Sequence, residues 1–165
     1  MHARAVTHAM LTTGPPVVHT PTMHSTSTAT VPASPSQVWD VLSDHEGMAH
    51  WGPGLSVSLR TPGTDERNGV GAVRVIDARG PAPAIVEEVT AFEPGRRLDY
   101  RALSGVPLRN YRGEVVLRAV AGGTEIAYTV SADQRVPIVE QLVVRGIARA
   151  LLSALVRQVR RTATH

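Results

Sequence analysis

The stretch PIVEQLVVRGIARALLSALVRQVRR, residues 137–161, decides the fold. It is the only segment long enough to form a major helix. Pro137 suits a first helical turn, where its missing N–H costs nothing, and no proline follows it. At about 100° per residue, Val139, Val143, Gly146, Ile147, Ala150, Leu151 and Ala154 gather on one side, and Gln141, Arg145, Arg149 and Arg160 mark the other. So wide an apolar sector predicts burial against a large surface. The segments before this helix read mostly as strands, so a sheet wrapped around it is expected.

Working back from the helix, short runs of β-prone residues are punctuated by glycine and proline. Strands are predicted over 55–60, 70–78, 84–92, 97–103, 108–120 and 124–132. They are divided by turns such as Thr61-Pro62-Gly63, Glu93-Pro94-Gly95 and Ala121-Gly122-Gly123. Short connections of this kind argue for an antiparallel meander. A first strand is expected over 26–32. Next, Ser34 fits an N-cap, Pro35 the first helical position and Gln37 the reciprocal cap, which predicts a helix over 35–44. Met48–Trp51 reads as a further helical turn, closed by Gly52-Pro53-Gly54. The order is strand, two short helices, six strands and a long helix. It indicates an α+β domain over 26–163, with about seven antiparallel strands strongly bent around the C-terminal helix.

Residues 1–25, rich in Thr, His, Pro and Ala, are expected to be a disordered leader, with Met1, Met10 or Met23 as the start. Its histidines, His2, His8, His19 and His24, are irregularly spaced and have no accompanying acid or cysteine, so a solvated tail is expected rather than a metal site. The leader lacks a basic region followed by an apolar core, so no secretion signal is expected. No apolar run approaches the roughly 20 residues that span a bilayer.

The chain has 165 residues, enough for one core of ordinary size, and 42% of them are hydrophobic. There is no cysteine, which removes disulfides and thiolate metal sites and is compatible with a reducing, cytoplasmic location. All seventeen basic residues are arginine, set against fourteen acids for a net charge of +3. The arginines are dispersed and only six residues are aromatic, which argues against a nucleic-acid surface. No cofactor fingerprint is present: Gly69-Val-Gly71 lacks the third glycine and no helix follows it. His45 and His50 are not spaced as a helical zinc pair, so no metal is expected. No serine sits in a nucleophile elbow.

Alternation with period two assigns the inner faces. Leu98 and Tyr100 oppose Arg97, Asp99 and Arg101. Tyr111, Val115 and Leu117 oppose Arg112, Glu114 and Arg118. Ile126, Tyr128 and Val130 share a third inner face. All three tyrosines therefore point inward. Each is either a packed core residue whose hydroxyl finds a local partner, or a donor that orients a ligand carbonyl. Either Glu87 or Glu88 accompanies the apolar side chains of its strand, and Arg74 sits among Val70, Val73, Val75 and Ile76. An inward Arg74 pairs with one of these glutamates or holds a carboxylate or enolate. Trp51 is a lid over the core or a gate at a cavity mouth.

Several of these stretches together resemble the SRPBCC superfamily, which includes START proteins, polyketide cyclases and relatives of the birch-pollen allergen. They are residues 31–44, Met48-Ala-His-Trp51, Gly69-Val-Gly71, Glu87–Pro94, Arg97–Tyr100, Tyr111–Val115 and the closing helix. The likeness covers roughly residues 26–160 and carries the helix-grip fold. It implies an apolar cavity between bent sheet and C-terminal helix. It also implies a hydrophobic small-molecule partner and, where members are enzymes, cyclisation, dehydration or condensation. The superfamily has no shared catalytic triad to carry over. The expected ligand-binding residues are Trp51, Tyr100, Tyr111, Val115, Tyr128, Gly146, Ala150 and Ala154, with space provided by the small residues of the helix. Tyr100, Tyr111, Glu87 and Arg74 are the catalytic candidates. Three functions stay open. One is a polyketide cyclase/dehydrase-like enzyme, and another a non-catalytic carrier of a lipid or quinone. The third is an interaction module that docks through its basic last helix. A homodimer is compatible with each. Arg145 and Arg149 read as the solvated back of the helix.

Overall fold

The computed structural model describes residues 22–134 and 137–163. Strand β1 (Thr22–Val31) leads into helix α1 (Pro35–Ser43) and a 3₁₀ turn (Glu46–Trp51). Six strands follow: β2 (Leu55–Thr61), β3 (Val73–Ala78), β4 (Ile85–Glu93), β5 (Arg97–Ser104), β6 (Arg112–Val120) and β7 (Gly123–Asp133). Helix α2 (Pro137–Thr162) completes the order. The sheet is antiparallel throughout, in the order β1-β7-β6-β5-β4-β3-β2. Strands β2 to β7 form the meander, and β1 adds to its far end. The two edges of the sheet are thus the first two strands in sequence. Helix α1 and the 3₁₀ turn carry the chain from one edge to the other across the mouth of the curve.

Local chemistry explains most boundaries. Ser34 Oγ accepts from the Gln37 N–H at 3.3 Å, and Gln37 Oε1 accepts from the Ser34 N–H at 2.9 Å. This reciprocal cap starts α1 at Pro35 as its sequence predicts. Helix α1 then buries Val38, Trp39 and Leu42, with Trp39 edge-on to Phe92 at 4.8 Å between ring centres. Strand β6 begins at Arg112 rather than Leu108, because Asn110 adopts a left-handed conformation, φ 51°, that a strand does not accommodate. Strand β3 begins at Val73 rather than Val70, after a turn in which Gly71 has φ 85°.

Strand β1 starts four residues before its expected position and takes in the end of the expected leader. Met23 is buried and pairs with Ala132, and His24 pairs with Ser131. Thr22 follows the last breaker, Pro21, and Met23 supplies an inward apolar position, so the strand extends as far as its pattern allows. The rest of the expected leader, residues 1–21, lies outside the described residues.

The core lies between the concave face of the sheet and α2. The inward residues assigned by alternation, Leu98, Tyr100, Tyr111, Val115, Leu117, Ile126, Tyr128 and Val130, are all buried. The helix presents Val144, Ala148, Leu152, Leu155 and Val159 to them, a stripe stepping by three and four residues. This corrects the expected face. Val139 and Val143 are 61% and 44% exposed, Gly146 and Ala150 face solvent, and Ile147, Leu151 and Ala154 are half-buried at the margin. Helix α2 is apolar on two opposed sides over its first half, so periodicity alone does not choose between them. The chosen stripe is the one that continues in bulky residues to Val159, with Ala148 allowing close approach to the sheet. No helix among the described residues is long and apolar enough to cross a membrane.

Candidate ligand-binding site

Three elements bring a buried polar cluster to the concave side of the sheet. Arg74 on β3 and Glu87 on β4 are directly opposite in register and only 3% and 5% exposed. Arg74 Nε and Nη2 both donate to Glu87 Oε2, at 3.0 and 2.8 Å. Arg74 Nη1 lies 3.1 Å from Nδ1 of His45, the residue that follows α1 and its cap Asp44. The other ring nitrogen, Nε2, is 2.9 Å from the Asn68 carbonyl. A carbonyl only accepts and a guanidinium only donates. The ring is therefore neutral, with its proton on Nε2 and its Nδ1 lone pair turned to Arg74. Burial, reinforced by the Arg74 charge, pushes the His45 pKa down to about 4.

Of the two glutamates on β4, Glu87 is the inward one. The pairing of β4 with β5 shifts between Val86 and Glu87, and again between Val89 and Ala91. At the first shift the extra residue is Leu103 of β5, so Val86 and Glu87 still alternate; at the second it is Thr90 of β4, a bulge that brings Phe92 to the side of Glu87 and Val89. Glu88 turns outward and accepts from Arg101 Nε at 2.8 Å.

The tyrosines continue the cluster. Tyr100 on β5 and Tyr128 on β7 meet at their hydroxyls, 2.8 Å apart. The Arg74 guanidinium carbon lies 4.9 Å from the centre of the Tyr100 ring, a cation–π contact. Tyr111 lies 6.4 Å from Tyr100 between ring centres, tilted by 43°. Burial pushes all three phenols up, Tyr111 to about 12 and the other two well above their usual range. At neutral pH they are therefore uncharged hydroxyls backed by a permanent cation. Such an array donates hydrogen bonds and stabilises negative charge on an oxygen, whereas a proton-abstracting phenolate is unfavourable here. Among the described residues no group of three His, Asp or Glu side chains is placed to hold a metal ion.

The sequence pattern of the family described as polyketide cyclase / dehydrase and lipid transport matches residues 22–164. The chain belongs to this family. The match places it in the SRPBCC superfamily that its motifs resemble. The fold agrees. The crystal structure of Ara h 8.0201 superposes with a TM-score of 0.67 at 18% identity, covering 86% of this chain and 99% of that one. Protein MLL2253 from Mesorhizobium loti superposes with a TM-score of 0.66 at 17% identity, covering 85% and 98%. At these identities the likeness concerns the helix-grip architecture. No curated protein sequence matches the chain significantly.

Of the residues expected at the site, the fold unites Arg74, Glu87, Tyr100, Tyr111, Val115 and Tyr128 on the inner side of the sheet. It does not bring the helix residues there, while Trp51 joins the same hydrophobic core from the 3₁₀ turn. Trp51 is buried at the end of the 3₁₀ turn, where it lines a surface depression of about 330 Å³ together with Asp40, Asp44, His50 and Gln158. Gly146 and Ala150 lie on the outer side of α2 and Ala154 at its margin, because α2 packs through a different stripe. His45 is the member of the cluster that sequence reasoning passes over. Helix α1 ends at Ser43 and its cap Asp44 has ψ 89°, so His45 is placed by the break between α1 and the 3₁₀ turn, which no helical periodicity signals.

Proposed function

We propose that this protein binds an apolar small molecule between the sheet and α2, with the tyrosine–arginine cluster receiving its polar end. The observation that supports the reading is the convergence of Tyr100, Tyr111, Tyr128 and the Arg74–Glu87–His45 chain on one side of an otherwise apolar core. The match to polyketide cyclases, dehydrases and lipid transport proteins supports the same ligand class. The cluster is closed in this structure, so a ligand enters by displacing part of α2. Val144 is the first fully buried side chain among those described in that helix, which makes its opening turns the weakly held part.

Uncharged hydroxyl donors backed by a buried cation suit a substrate whose carbonyl gains negative charge as an enolate forms. We therefore favour cyclisation or dehydration of a polyketide-like substrate, with Tyr100 and Tyr128 polarising the carbonyl and Arg74 stabilising the charge. The mutual satisfaction of Tyr100 with Tyr128, and of Arg74 with Glu87, favours a second reading. In that reading the protein is a non-catalytic carrier of a lipid or quinone, and the cluster only holds the core together.

Native mass spectrometry of the purified protein, followed by thermal-shift titration with aromatic polyketones, quinones and fatty acids, tests the proposal. A bound mass, or a concentration-dependent rise in midpoint with one class, is expected. No shift with any class sinks it. Tyr128→Phe separates the two readings: an enzyme loses turnover at similar affinity, whereas a carrier keeps its ligand.

A further inference from the structure

A second feature lies outside the core. Along the free edge of β1 runs a groove of about 750 Å³, whose walls are residues 25–29 of the strand and the flank of α2 carrying Gln141, Arg145, Arg149 and Ser153. Five consecutive strand residues line it. Side chains of a strand alternate between faces, so only a groove along the strand's edge touches every residue in turn. The backbone edge itself is therefore one wall. At its start Gln141 Nε2 donates to the His24 carbonyl at 3.2 Å, so that carbonyl points away from β7. By the two-residue period, Thr26 and Thr28 turn their backbone N–H and C=O the same way.

The edge carries no guard within the strand itself, and α2 packs beside it as the other wall of the groove. Strand β1 is ten residues long and contains no proline, Asp, Glu, Lys or Arg. These are the devices that usually block strand addition. The opposite edge, β2, has seven residues, includes Arg60 and packs against the 3₁₀ turn. The groove also carries uncompensated charge. No acid lines it, and among the described residues neither Arg145 nor Arg149 has an ion-pair or hydrogen-bond partner.

We propose that this groove binds an extended acidic peptide segment that adds to the sheet beside β1. Residues four apart on a helix are separated by about 6 Å along its axis. Alternate residues of a strand are separated by about 6.7 Å. Acids at positions i and i+2 of an added strand therefore meet Arg145 and Arg149 in step, while its backbone bonds to Thr26 and Thr28. Charge argues against the two nearer occupants. Residues 1–21 contain Arg4 and no acid. A second copy added edge to edge would bring the arginine flanks of two α2 helices together.

The test is fluorescence anisotropy of the full chain with a fluorescein-labelled nonapeptide of alternating glutamate and valine. Micromolar binding is expected, with at least about tenfold weakening in the Arg145→Glu/Arg149→Glu double variant, whose positions are exposed. The alternating lysine–valine peptide should show the opposite preference. Thr28→Pro, which removes one edge N–H, should weaken binding similarly. The charge-reversal swap stands alone if that variant fails to fold. Absent binding overturns the proposal, as does equal binding of a peptide with its glutamates in one block, or indifference to charge reversal. Arginine-dependent binding to phosphatidylglycerol vesicles without peptide binding assigns the groove to a membrane surface and also overturns it. So does a wild-type dimer in sedimentation that Thr28→Pro abolishes, which assigns the edge to a second copy.

Discussion

Tyr100 and Tyr128 share a hydrogen bond of 2.8 Å although a whole strand, β6, lies between them. The residue of β6 opposite Tyr100 is Gly113, and the Tyr100 ring lies across the space a side chain would fill. A methyl group at that position overlaps the ring and its hydroxyl. Gly113→Ala should therefore destabilise by about 1–3 kcal/mol through overpacking. Urea denaturation measures this, and a change well below that range would show that the ring relocates without penalty.

The Arg74–Glu87 pair should behave as a unit. Glu87→Ala leaves a guanidinium buried against Tyr100 without its carboxylate and should cost about 3–5 kcal/mol. Arg74→Met combined with Glu87→Leu removes both charges and should lie closer to the wild type than either single change. Chemical denaturation of the three variants decides this. A double variant as unstable as the sum of the singles would mean that the two residues act independently and do not form a unit.

His45 should impose acid sensitivity. Its folded pKa of about 4 lies below the unfolded value of 6.5. Above pH 6.5 the ring is neutral in both states and the stability is complete. Between about 6.5 and 4 the unfolded chain takes a proton that the folded one refuses, so stability falls as the pH falls. The loss amounts to roughly 3 kcal/mol over that window. In His45→Gln the amide still accepts from Arg74 and donates to the Asn68 carbonyl, and this contribution disappears. Denaturation midpoints from pH 7 to 4 should show a flatter profile for the variant; parallel profiles would place the titration elsewhere.

Neighbouring alanines of α2 should respond oppositely to the same change. Ala150→Trp adds bulk on the solvent side and should leave the urea midpoint and any ligand affinity near wild type. Ala148→Trp forces a large ring into the contact with the sheet and should cost about 1–3 kcal/mol or more. Equal tolerance at both sites would contradict the observed helix phase.

These outcomes turn on features that differ in how openly the sequence displays them. The reciprocal cap at Ser34 and Gln37, the meander and the inward set Leu98, Tyr100, Val115, Ile126 and Tyr128 are all written in local spacing. Each depends only on a residue's own strand or helix. The rotation of α2 depends on which of two apolar rows the rest of the molecule selects, and periodicity is silent about that. The side that Phe92 shares with Glu87 depends on the bulge at Thr90, which shifts alternation by one residue without any composition signal. His45 is not legible, because it lies beyond the end of α1 and its bond to Arg74 joins residues 29 positions apart.

The placement of β1 governs the order in which the molecule can be assembled. Its partner strand is made late: the Thr26 hydroxyl meets that of Thr129, 103 positions further along the chain. At usual translation rates that interval lasts on the order of 5–20 s. For most of it β1 and α1 have left the ribosome while β7 and α2, against which they pack, do not yet exist. The β2–β7 meander can form from neighbours as they emerge, whereas β1 must wait and join last. Its hydroxyl-rich sequence, with Met23 and Val31 as its only large apolar residues, keeps it from sticking during the delay.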